Sequence, residues 1–188
     1  MTTIIGISGS LRRSSYNAGL LRAAAEAAPE GCEINIVPIH DIPLYNGDVE
    51  ENEGIPQSVS DLKERIVAAD GLLMVTPEYN NSISGVFKNT IDWLSRPPED
   101  RFRVFKNLPV GLIGATPGTF GTAFSQYAWQ PTLRVLGTQV WAGKLMWISG
   151  AMDKFDDQGN LTDERVRKQL ASYLSGFAEF ISQIASSS

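Results

Sequence analysis

The chain has 188 residues, 43% of them hydrophobic and 20% charged, enough for one well-buried core and short for two. Against a net charge of −5, the basic groupings at Arg12 and Arg13 and across residues 96–103 are too few and too separated for a nucleic-acid groove. One cysteine, Cys32, and one histidine, His40, exclude a disulfide framework and a structural zinc site, and no apolar run reaches membrane-spanning length. No basic leader precedes the short apolar start, so the chain reads as cytoplasmic.

With no internal repeat, residues 1–188 read as a single domain. Residues 3–8 (TIIGIS) form the first expected strand and 15–28 the first helix. Residues 33–38 (EINIVP) alternate apolar and polar positions, as a strand near an edge does. A long irregular loop then leads to a helix over 57–69, with Val59, Leu62, Ile66 and Ala69 on one face. The continuous apolar run 71–76 (GLLMVT) suits a central parallel strand, and 84–94 a helix. A polar excursion, RPPEDRFRVFKN, precedes a fourth strand over 109–115. A helix over 120–136 and a short strand over 138–141 follow. The last helix has Thr162 as its expected N-cap, acidic residues in its first turn, and a stripe of Val166, Leu170, Tyr173, Leu174, Phe177, Ile181 and Ile184.

Strands alternating with helices imply a parallel α/β sheet covered on both faces. Ligands in such sheets bind beyond the carboxyl ends of the strands, where strand order reverses. The loops after the first, third and fourth strands are GSLRRSSYN, PEYNNSIS and TPGTFGT, all rich in polar, small or turn-forming residues. In the first, Ser8, Ser10, Ser14, Ser15 and Asn17 crowd a helix start whose free N–H groups suit a phosphate, and Arg12 adds a charge-assisted fork. Ordinary capping by Ser14 or Ser15 would need one such residue and not five. The dinucleotide fingerprint is absent, and so is the nucleotide P-loop: Thr138 stands where its first glycine belongs and Leu145 follows the Gly143–Lys144 pair. A mononucleotide phosphate fits best.

In the second loop Pro77 ends the strand, Glu78 is an acceptor and orienter, Tyr79 offers an aromatic face, and Asn80 and Asn81 turn the chain outward. A plain turn would use the same residues. The third loop offers flexible backbone that can approach a flat ligand closely. None of the three holds a nucleophile–base pair, which points to a cofactor that brings its own reactivity.

These residues carry a resemblance. SGSLRRSSYN after the first strand and TPEYNNSISGVFKNTIDWLSRP after the third resemble the flavodoxin-like NAD(P)H-dependent FMN reductases, which include quinone, azo-compound and chromate reductases. The likeness spans residues 3–150. It implies a five-stranded parallel sheet of order 2-1-3-4-5. It implies also that Ser10, Arg12, Ser15, Tyr16 and Asn17 hold the FMN phosphate. Pro77, Glu78, Tyr79 and Asn80 would frame the flavin ring, with Ala115 and Thr116 on its far side. The implied reaction is ping-pong hydride transfer from NADPH or NADH through FMN to a small-molecule electron acceptor such as a quinone, an azo compound, chromate or free flavin, with no catalytic side chain. The implied assembly is a homodimer or homotetramer, for which the segments GVFKNTIDWLS and FSQYAWQPTLRVL are apolar enough, although Phe124, Trp129 and Leu133 would serve equally as core. A flavodoxin-type one-electron carrier, which oxidises no nicotinamide, would share the fold and the phosphate site.

Overall fold

The computed structural model describes residues 1–187. Its sheet contains strands β1 (Thr2–Ser8), β2 (Cys32–Ile36), β3 (Gly71–Val75), β4 (Pro109–Ala115), β5 (Gln139–Val140) and β6 (Trp147–Ile148). Neighbouring strands are parallel and run in the order β2-β1-β3-β4-β5, as the resemblance implies. Every residue of β3 and β4 is buried, because helices cover both faces of the sheet.

The helices are α1 (Tyr16–Glu26), α2 (Gly47–Glu53), α3 (Gln57–Val67), α4 (Gly85–Leu94), α5 (Asp100–Phe105), α6 (Ala123–Leu136) and α7 (Glu164–Ser187), with a 3-10 turn at Ala151–Asp153. Alternation along the strands divides the core in two. Ile4, Leu73, Val75 and Ile113 pack with Leu20 and Leu21 of α1 and Leu170, Tyr173 and Phe177 of α7. Ile5, Ile7, Leu72, Met74 and Leu112 face the opposite layer, with Val59, Leu62, Phe87, Ile91, Trp129 and Leu133.

Four features depart from the sequence reading. The expected irregular loop contains α2, started by Asn46, whose side chain accepts from Asp48 N at 2.9 Å. It buries none of its residues, so it carries no apolar period to read. The polar excursion contains α5, and three of its charged residues, Arg96, Asp100 and Arg103, are paired in place. Lys63, almost fully buried, pairs with Asp100 at 3.0 Å, while Arg103 binds Asp100 and Glu64, each at 2.9 Å. Arg96 pairs with Glu50 at 2.9 Å. Hydrogen bonds from Arg103 hold the Asp100 carboxyl below the usual carboxylate range, and those from Arg96 do the same for Glu50. Third, the expected fifth strand is cut to two residues, and β6 takes up pairing with the far end of β4. Fourth, α7 begins one residue later than expected. Asp163, not Thr162, caps it by accepting from Val166 N at 2.8 Å, while Thr162 Oγ1 donates to Lys154 O. Among the described residues no helix is long and apolar enough to cross a membrane.

Candidate functional site

Because β1, β3 and β4 are parallel and lie side by side, the loops that follow them emerge together at the carboxyl end of the sheet. Ser8 is level with Val75, and Val75 with Ile113. Gly9 N continues the ladder to Val75 O at 3.0 Å, and Ser84 Oγ donates to Gly9 O at 2.8 Å, joining the first loop to the second. A Cβ on Gly9 would come within 2.2 Å of the Phe87 ring, so this close approach to α4 requires glycine.

The first loop leaves its donors unused. The backbone N–H groups of Ser10, Leu11, Arg12, Arg13, Ser14, Tyr16 and Asn17 have no acceptor among the described residues. Ser15 caps α1 by accepting from Ala18 N at 3.2 Å, which leaves its own O–H free to donate. Ser8 Oγ is buried without a partner at the end of β1. Arg12 is exposed, makes no ion pair among the described residues, and stands with its guanidinium carbon 6.0 Å from the centre of the Tyr16 ring. A set of free N–H groups at a helix start, with an unpaired arginine beside it, fits a phosphate.

Asn17 behaves differently from its expected companions. Its Nδ2 donates to Ala115 O and its Oδ1 accepts from Ala115 N, both at 2.9 Å and both buried. The amide therefore pins α1 to the end of β4, with one amide hydrogen left over. Ala115 and Thr116, expected beside the ring, are where this clasp brings them.

The second loop is a two-residue turn. Tyr79 and Ser82 exchange backbone hydrogen bonds at 3.1 and 3.0 Å, and Asn80 and Asn81 both adopt positive φ, 51° and 56°. That is the primed turn for which asparagine is suited. Pro77 is buried and Tyr79 exposed. Glu78 Oε2 accepts from Ser125 N at 3.0 Å in the first turn of α6, so the carboxylate caps that helix and holds the second loop to the third. Thr76, fully buried, ties the same corner through Ser125 Oγ at 2.8 Å and Trp129 Nε1 at 3.0 Å.

Sequence reasoning missed the brace beneath the first loop. The turn at residues 155–161 is held by Asp156, whose Oδ1 accepts from Gln158 N and Asn160 N. It packs against the start of α1 so closely that a Cβ on Gly19 would lie 1.6 Å from Gly159 O. Phe155 meets Tyr16 with ring centres 5.2 Å apart, and Asn160 Oδ1 accepts from Arg22 Nη2 at 2.8 Å. Gly19 within an expected helix was the signal for such an approach. His40, also unassigned by the motifs, faces Leu11 O with Nε2 at 3.3 Å and tethers the loop from the other side.

Comparison with known proteins finds relatives that match over most of the chain. The family described as NADPH-dependent FMN reductase matches residues 2–153. An NAD(P)H-dependent FMN reductase of Pseudomonas aeruginosa is 44% identical over 171 residues, covering 91% of this chain and 90% of its own length. A quinone reductase of Escherichia coli K12 is 38% identical over 184 residues, covering 96% of each chain. Among solved structures, the flavoenzyme NAD(P)H:(acceptor) oxidoreductase FerB of Paracoccus denitrificans superposes with a TM-score of 0.85 at 33% identity, covering 97% of this chain and 98% of its own.

Proposed function

We propose, for a chain that belongs to the NADPH-dependent FMN reductase family and is an NAD(P)H-dependent flavin oxidoreductase, that residues 10–17 hold the phosphate of FMN and that a quinone is the electron acceptor. The observation that carries the phosphate assignment is the row of unpaired N–H groups beginning at Ser10. When bound, FMN supplies the hydride chemistry, taking two electrons from NADPH or NADH and releasing them to the acceptor in a second half-reaction.

The protein's own part is binding and orientation. Ser10, the Ser15 hydroxyl, the N–H groups of Tyr16 and Asn17, and Arg12 surround the phosphate, while α1 directs its positive end toward it. Pro77 gives a rigid buried wall. Tyr79 and the turn at Asn80 supply an aromatic face and outward N–H groups, with Glu78 fixing the turn through α6. Ala115 and Thr116 close the far side, their position set by Asn17 and by the bond from Thr116 N to Ile148 O at 3.0 Å. Around Gly118 a Cβ would meet nothing closer than 3.8 Å, and around Gly85 nothing within 4 Å, so neither glycine narrows the approach of a planar acceptor. No side chain is assigned an acid–base or covalent role. Azo compounds, chromate and free flavin are further acceptors under the same reading.

The active unit is proposed to be a homodimer or homotetramer built on α6. Trp129 and Leu133 are core residues, but Phe120, Phe124, Tyr127 and Val135 lie exposed, the last three recurring along one face of the helix. The test is anaerobic rapid mixing of FMN-loaded protein with NADPH or NADH, then with a benzoquinone. Bleaching of the flavin absorbance followed by its full return is expected. Failure of both nicotinamides to bleach it would leave the one-electron carrier reading in place.

A further inference from the structure

We propose that the cleft between α7 and residues 144–149 binds a small amphiphilic anion, a carboxylate carried on an apolar body. This cleft of about 600 Å³ has no lining residue in common with the loops after β1 and β3. Its volume lies in the range of small-molecule sites.

The floor is apolar. Met146 and Ile148 on one side and Val166 and Tyr173 on the other are almost fully buried. The rim is cationic. Lys144, Lys154 and Arg165 line it, and none of the three forms an ion pair among the described residues. Asp163 is the one carboxylate in the lining, and it is occupied in capping α7. Three cations therefore face one committed carboxylate, in a chain whose net charge is −5.

Nor do the two lysines swing free in water. Lys144 Nζ donates to Ser172 O at 2.9 Å, and Lys154 Nζ donates to Ser149 O. These carbonyls fix the ammonium groups at opposite walls without neutralising them, and holding a lysine still costs side-chain entropy. An anion on the rim would balance the charge, and an apolar body would rest on the floor and cover Leu145, which lines the cleft and is exposed. Inorganic phosphate would leave the floor unused. The wall formed by β6 also carries the third loop, since Met146 O and Ile148 O accept from Gly114 N and Thr116 N. An occupant of the cleft thus rests directly behind that loop.

The test is calorimetric titration of the protein with 4-phenylbutyrate and, separately, with its neutral amide, the flavin site being saturated with FMN. One carboxylate per chain is expected, binding about tenfold tighter than the amide because the rim charge discriminates. The triple variant K144A/K154A/R165A should lose that discrimination and keep its affinity for FMN. Because the triple change removes two anchored lysines, Arg165→Glu provides a milder variant at an exposed position, and several-fold weaker carboxylate binding is expected. Equal affinity for acid and amide, no heat at millimolar probe, or unchanged carboxylate binding in both variants would each overturn the proposal. The same titration without flavin has the same expected outcome, so failure of the flavin reading leaves this test standing.

Discussion

The loops after β1 and β3 leave adjacent strands at the same level of the sheet, yet they treat their polar groups in opposite ways. The second loop satisfies itself: Tyr79 and Ser82 pair with each other, and Glu78 is used on Ser125 N. The first loop leaves seven consecutive or near-consecutive N–H groups open, from Ser10 to Asn17, and takes its shape from elsewhere. Asn17 ties it to β4, the turn at residues 155–161 braces it from below, and His40 holds it from the side. A self-satisfied loop contributes shape to a site. An unsatisfied loop, held rigid by its neighbours, contributes affinity, because its donors need no reorganisation when a ligand arrives.

If the first loop depends on borrowed support, the most damaging change lies outside it. Gly19→Ala forces a methyl into Gly159 O and should destabilise the fold by about 3 kcal/mol in urea denaturation, overriding the gain of about 1 kcal/mol that alanine ordinarily brings to a helix. A neutral or stabilised variant would show that the brace is not needed. Asn17→Ala comes next. It strands both polar groups of Ala115 in a buried place, and a loss of about 2–3 kcal/mol of stability is expected. FMN affinity should fall with it, since α1 and the third loop lose their common fastening.

Arg12→Ala separates ligand affinity from support. The side chain is exposed and unpaired, so unfolding should shift by less than about 0.5 kcal/mol. FMN binding should weaken by about 1.5–3 kcal/mol, the range for a hydrogen bond to a charged group, with riboflavin binding unchanged. Fluorescence titration with both flavins reads this directly, and an equal loss for the two would remove the phosphate from the first loop. The smallest effect is expected in the second loop. Glu78→Gln keeps an oxygen for Ser125 N but removes the charge at the start of α6, costing about 0.3–1 kcal/mol of stability. FMN affinity should move less than in the Arg12 variant. A larger drop would mean that Glu78 meets the ligand itself.

The acid limb of the stability curve tests a region apart from both loops. Glu50 and Asp100 have carboxyl pKa values lowered by their arginine partners. Their contribution is present above the unfolded carboxylate range, about pH 4, and is lost as pH falls through the lower folded values. Asp100→Asn should therefore flatten the fall in melting temperature below that pH. Both groups are partly solvated, so the effect should be modest.

Much of this protein was determined by local sequence alone. The apolar runs of β3 and β4, the stripe of α7 from Val166 to Ile181, and the cap at Ser15 each follow from periodicity or from one side chain meeting its own backbone. The dense hydroxyl and arginine content of residues 8–17 likewise announced a donor-rich helix start, and seven backbone N–H groups there have no acceptor among the described residues. What only the tertiary structure decided are contacts between residues far apart in the chain. Asn17, expected among the ligand-binding residues, has its side-chain amide held by Ala115, 98 positions away. Glu78 was an orienter without an object until α6 brought Ser125 to it. The helix α2 buries nothing, and α5 depends on Lys63 of α3, so neither has an apolar period of its own to be read. Periodicity records which face of an element is buried. It does not record which distant group will arrive there, and the supports of this site are of that second kind.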